Sequence, residues 1–92
     1  MNTKIKVKIL TPYEVLYEAD ADAVVSENST GSFGIMPQHA NFITMVQNKP
    51  IDIVLSSDKK RTFQFPLAII YTTQNQVKIY TDILAQPSQK IF

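Results

Sequence analysis

The sequence predicts an all-β fold, a two-sheet antiparallel β-sandwich of about ten short strands. Three observations carry that reading. Apolar residues recur with a period of two along most of the chain, which gives each segment one apolar face. Turn-forming clusters interrupt the chain at short intervals. No stretch of useful length places apolar residues at the helical period of about 3.6. A chain of 92 residues makes one small domain with a modest core.

Residues 4–9 alternate strictly, with Ile5, Val7 and Ile9 on one face and Lys4, Lys6 and Lys8 on the other. The lysine stripe reads as a solvated face that also discourages edge pairing. A contact with an anionic partner is the alternative. Thr11-Pro12 ends this strand, because proline fixes φ and offers no donor. Residues 14–19 and 21–26 read as two further strands. Residues 27–31 are polar and turn-rich.

Residues 32–36 form a strand that contains Gly34, where glycine marks a bulge or a close backbone approach. Residues 41–47 hold Phe42, Ile43, Met45 and Val46, and Asn48-Lys49-Pro50 turns. Residues 51–55 alternate, 56–60 form a polar hairpin loop, and 61–65 put Phe63 and Phe65 inward. The near-continuous apolar run at 67–72 reads as a buried strand. Gln74-Asn75 turns, and residues 77–81 alternate again. Residues 1–84 are taken as the domain, and 85–92 as a tail.

Composition excludes several classes. The formal charge is +1 and the lysines are spread along the chain, which does not fit a nucleic-acid binder. Without cysteine there is no disulfide and no thiolate site. No apolar run approaches the roughly 20 residues of a membrane helix, so a membrane is met only through another protein. His39, the single histidine, could act as a base or ligand, but its neighbours Gln38, Ala40 and Asn41 would not tune it. It reads as a structural residue after Pro37. Asp20 and Asp22 could draw a cation, though a solvated face explains them as well. Two glycines with no Lys-Ser/Thr after them do not make a phosphate loop. No catalytic residue, metal site or cofactor is expected.

The segment Gly31-Ser32-Phe33-Gly34-Ile35-Met36-Pro37-Gln38-His39 resembles the Gly-x-Phe/Leu-Gly-Ile-Leu-Pro-x-His signature of the epsilon subunit of F-type ATP synthases. Ile9-Leu10-Thr11-Pro12, the Val15-to-Ala19 segment, Ala23-Val24-Val25 and Asn75-to-Asp82 are similar to further family segments, in the family's order and spacing. Pro66-Leu67-Ala68-Ile69 departs from the family's Ser-Gly-Gly-aromatic turn. Asn41, where the family often has proline, is more similar to the alternate N-type branch, some members of which are thought to pump sodium.

The resemblance implies a non-catalytic central-stalk subunit that couples the gamma subunit to the c-ring in proton- or sodium-driven ATP synthesis. It implies a place on the cytoplasmic side of the membrane, peripheral, as part of the complex. Asn28, Ser29, Thr30, Gly31 and Ser32 would face the c-ring. Phe33, Gly34, Met36, Pro37, His39, Phe42 and Met45 would carry the fold signature and possible gamma contacts. By position alone Met36, Phe42 and Met45 fit core or an exposed patch, with core as the default. The family's two-helix hairpin is not expected in the residues after Asp82, nor is its nucleotide site. The isolated chain is expected to be a monomer. A stand-alone β-sandwich module that binds a peptide or carbohydrate is the alternative, and the lack of tryptophan weighs against a sugar platform.

Overall fold

The computed structural model describes residues 4–38 and 40–82. The expectations for His39 and for the tail at 85–92 therefore lie outside the described residues. Nine strands follow one another: β1 (Ile5–Leu10), β2 (Val15–Ala21), β3 (Ala23–Asn28), β4 (Gly31–Ile35), β5 (Phe42–Val46), β6 (Pro50–Ser56), β7 (Lys59–Gln64), β8 (Ala68–Thr73) and β9 (Gln76–Tyr80). They form a five-stranded sheet in the order β2-β1-β9-β8-β5 and a four-stranded sheet in the order β4-β3-β6-β7. The expected β-sandwich is what the chain forms.

Every strand pair is antiparallel except β1 with β9, which run parallel with Val7 beside Val77. Parallel neighbours need a long crossover. Here everything from β2 to β8 serves as that connection.

The period-two pattern decides what is buried. From the five-stranded sheet Ile5, Val7, Ile9, Val46, Ala68, Ile70, Val77 and Ile79 point inward. Val24, Ile35, Ile51 and Ile53 meet them from the other sheet. Burying one such aliphatic side chain contributes about 1.5–3 kcal/mol. Ser26 is buried with them and donates its hydroxyl to the Pro50 carbonyl at 2.9 Å, as a buried hydroxyl requires.

Aromatic pairs close both open sides of the sandwich. Tyr17 of β2 meets Phe63 of β7 with ring centroids 5.0 Å apart. Arg61 lies over both rings, at 5.0 and 5.3 Å, a cation–π cap on that side. On the other side Phe33 of β4 meets Phe42 of β5 at 5.4 Å.

Two expectations are corrected. Gly34 is not at a bulge: β3 and β4 stay in register across it, with Val25 opposite. A Cβ built there would meet nothing nearer than Met36 Cε at 3.9 Å. The bulges fall at Ile9/Leu10 and Val54/Ser56, where neither partner strand carries a glycine to announce them. The second correction concerns residues 67–72. Ala68, Ile70 and Thr72 are buried, but Leu67, Ile69 and Tyr71 are exposed. The strand is covered on one face only.

Candidate interaction surfaces

The β3–β4 hairpin tip is set by local polar chemistry. Asn28 Oδ1 accepts from the Thr30 amide at 2.9 Å and from the Thr30 hydroxyl at 2.7 Å. This is an Asx-type turn, in which a short side chain holds the backbone two residues on. Asn28 Nδ2 donates to Thr44 Oγ1 of β5 at 2.9 Å. The hairpin is thereby tied to the edge of the opposite sheet. Gly31 takes φ 131°, and a Cβ added to it would meet no atom within 4 Å. Conformation rather than space demands glycine there.

The five residues expected to face the c-ring thus separate into two kinds. Ser29, Thr30, Gly31 and Ser32 are exposed. Asn28 is half-buried with its amide already engaged, and it positions the tip. Beside the tip lies a recess of about 300 Å³ lined by Glu27, Asn28, Ser29, Met45, Gln47 and Lys49.

The residues expected to form the fold signature and gamma contact do not make one surface. Phe33 and Phe42 pack against the core. Gly34 is exposed on the outside of the four-stranded sheet, Met36 is exposed just after β4, and Pro37 is half-buried. Met45 is exposed on the outside of the other sheet, so the core default holds for Phe42 and is corrected for Met36 and Met45, which alternation and the end of β4 turn outward.

Met45 belongs to a larger feature that sequence reasoning does not find. The registers align Met45, Ile69, Tyr80, Leu10 and Val15 in one row across the outer face of the five-stranded sheet. Ile43 and Tyr71 begin the next row. Ile43 is 66% exposed and Tyr80 43%. Leu67, Ile69 and Tyr80 also line an apolar groove of about 270 Å³ with Pro12, Thr81 and Asp82. A sheet exposed on one side normally alternates apolar with polar residues. The unbroken apolar run at 67–71 is the available signal, because only a strand covered on both faces needs it.

The second row continues from Ile43 and Tyr71 to Lys78, Lys8 and Glu18. Lys6, Lys8, Gln76 and Lys78 surround a recess of about 100 Å³. The lysine stripe is partly satisfied. Lys4 pairs with Asp22 at 2.7 Å and donates to the Leu55 carbonyl at 2.9 Å. Lys6 approaches Asp20 at 3.8 Å. Asp20 and Asp22 thus each face a lysine.

The sandwich thus presents an apolar outer sheet face and a hairpin tip tied to the opposite sheet. The family model described as ATP synthase, Delta/Epsilon chain, beta-sandwich domain matches residues 4–87, and the chain belongs to that family. Among curated relatives it is 26% identical over 72 residues to the ATP synthase epsilon chain of a Nitratiruptor species, covering 78% of this chain and 56% of that one. It is 33% identical over 58 residues to the epsilon chain of Brevibacillus brevis, covering 63% and 44%. The chain therefore spans about half the length of these relatives. In fold it is similar to a chain in the cryo-EM structure of the Euglena gracilis mitochondrial ATP synthase, OSCP/F1/c-ring, with TM-score 0.80 and 13% identity over 90% of this chain and 53% of that one. No helix among the described residues is long and apolar enough to cross a membrane.

Proposed function

We propose that the chain is a non-catalytic subunit of the central stalk of a rotary F-type ATP synthase, linking the gamma subunit to the c-ring on the cytoplasmic side of the membrane. The observation that carries the reading is the second apolar face, on a domain of the epsilon family. A face with Met45, Ile69 and Tyr80 in one row gains free energy when covered, at about 25 cal/mol per Å² of apolar surface. Exposed apolar patches of this kind mark protein contacts. We assign this face to gamma, in place of the segment that contains Phe33 and Phe42. The exposed hairpin tip, Ser29 to Ser32, suits hydrogen bonding to the polar loops of the c-ring.

The division of labour suits torque transfer. A close-packed core resists shear, and the Asn28–Thr44 bond joins the tip to the strand that carries Ile43 and Met45. The test is reconstitution with the gamma subunit and c-ring of the same organism. The double substitution Ile69→Ser and Tyr80→Ser should abolish gamma binding and leave the thermal melt of the isolated chain nearly unchanged. Full gamma binding by that variant would move the interface elsewhere.

A further inference from the structure

Beside the apolar row, the charges on the outer face of the five-stranded sheet are unevenly matched. Lys8 has Glu18 on one side and Lys78 on the other. Lys78 has Lys8 on one side and Tyr71 on the other. Neither lysine has a carboxylate within 4 Å among the described residues, whereas Lys4, Lys6 and Lys60 each do. The two neighbouring ammonium groups repel one another, and Glu18, opposite Lys8 in the register, comes within 4 Å of neither. The recess between β1 and β9, lined by Lys6, Lys8, Gln76 and Lys78, is open to a polar group from outside.

We infer that this recess recognises a carboxylate on the protein segment that covers the apolar row, and that the segment is an amphipathic helix with Asp or Glu on the flank beside Lys78. The inference rests on the reading that this face is the docking face, and it adds the chemistry of the occupant. The row from Met45 to Val15 crosses five strands, a span of about 19 Å at the usual strand spacing. A helix covers that length with about 13 residues. Its apolar stripe would lie on Met45, Ile69 and Tyr80, which places one flank over the second row at Lys78 and Lys8. A strand would seek a sheet edge for its hydrogen bonds; this surface is a face. Covering the row also removes water from the lysines, so an unpaired partner there is disfavoured and a carboxylate is selected.

The experiment uses the full chain and two synthetic, helix-stapled peptides of about 14 residues, a length set by the span of the row. Both carry the same apolar stripe; one has glutamates along one flank, the other glutamines. The glutamate peptide should bind about five- to tenfold more tightly, the scale of one or two partly desolvated ion pairs. The preference should shrink as salt is raised. It should vanish in Lys8→Gln/Lys78→Gln and persist in the control Lys59→Gln on the other sheet. Amide shifts should move at Ile69, Lys78 and Tyr80. Because the double variant removes a repulsion and no ion pair, its melt should lie at or slightly above the parent's.

Equal affinities for the two peptides would overturn the inference, as would a preference that survives the double variant. So would failure of both peptides to bind, or a stable dimer of this chain that buries the same face. If these results appear while gamma still binds and Ile69→Ser/Tyr80→Ser still prevents it, the docking reading stands and only the carboxylate recognition falls. If the peptides behave as expected and gamma does not bind, the docking reading falls alone.

Discussion

Phe33 of β4 and Phe42 of β5 face each other across the two sheets, their ring centroids 5.4 Å apart and their planes inclined by 58°. They belong to an edge strand of one sheet and an edge strand of the other. Both also rest on the buried cluster. Phe33→Ala should therefore unlatch that side and cost about 2–4 kcal/mol, near the low end for a large buried aromatic because both rings are only half-buried. Urea midpoints measure this. A loss under about 1 kcal/mol would mean the pair is incidental.

The two glycines should behave differently. Gly31 has φ 131°, a region that side chains rarely adopt, whereas Gly34 lies in regular strand with open space around it. Gly31→Val should cost about 1–3 kcal/mol. Gly34→Val should be within about 0.5 kcal/mol of neutral, because a β-branched residue suits an exposed strand position. Chemical unfolding of both variants gives the order, and the reverse order would contradict the account of the hairpin.

Thr72 is 1% exposed, and its hydroxyl has no hydrogen-bond partner. An unpaired buried hydroxyl costs about 1–3 kcal/mol on mutational scales. Thr72→Val keeps the shape and should raise stability by about 1 kcal/mol. A lower melting temperature would show that the hydroxyl has a partner after all.

Asn28→Ala should release the hairpin tip. Hydrogen exchange should quicken at Thr30, whose amide loses its acceptor, and at the β5 edge near Thr44. Thr44→Val removes the acceptor for Asn28 Nδ2 and leaves Asn28 Oδ1 in place for Thr30. It should loosen β5 while leaving the tip turn intact. Equal exchange in parent and both variants would remove Asn28 from its positioning role.

Gln74 and Asn75 both take positive φ, 34° and 63°, at the β8–β9 turn. Two-residue hairpins of the primed type ask for this, and asparagine tolerates it better than glutamine. Gln74→Gly should raise stability by about 0.5–1 kcal/mol, read from the melting curve.

Much of the fold is legible because alternation is a local signal. Ile5, Val7 and Ile9 name their buried face without reference to the rest of the chain. What lies on the other face depends on neighbours that the sequence does not order. Met45 is ambiguous alone; it gains meaning only beside Ile69 and Tyr80, which come from strands far along the chain. Phe33 and Phe42 enter the possible gamma contact only through the family resemblance; position alone favours core for Phe42. Strand alternation turns them into the core. Gly34 suggests a bulge by its residue type, while the real bulges arise from pairing geometry at residues that carry no such mark. The lysine stripe is visible in the chain, but the position of its one unpaired member, Lys8, gains meaning only when β9 places Lys78 beside it.

The parallel pairing of β1 with β9 has a kinetic consequence. Val7 cannot meet its neighbour Val77 until the whole stretch between them has left the ribosome. The central seam of the larger sheet is therefore among the last contacts available during synthesis, and contacts so distant in sequence slow the search for the native state. Until that seam closes, β1 has β2 on one side and an open edge on the other. Its alternating lysines are then a safeguard against pairing with strangers. The same positions that flank the apolar face in the finished domain would keep the nascent chain out of aggregates.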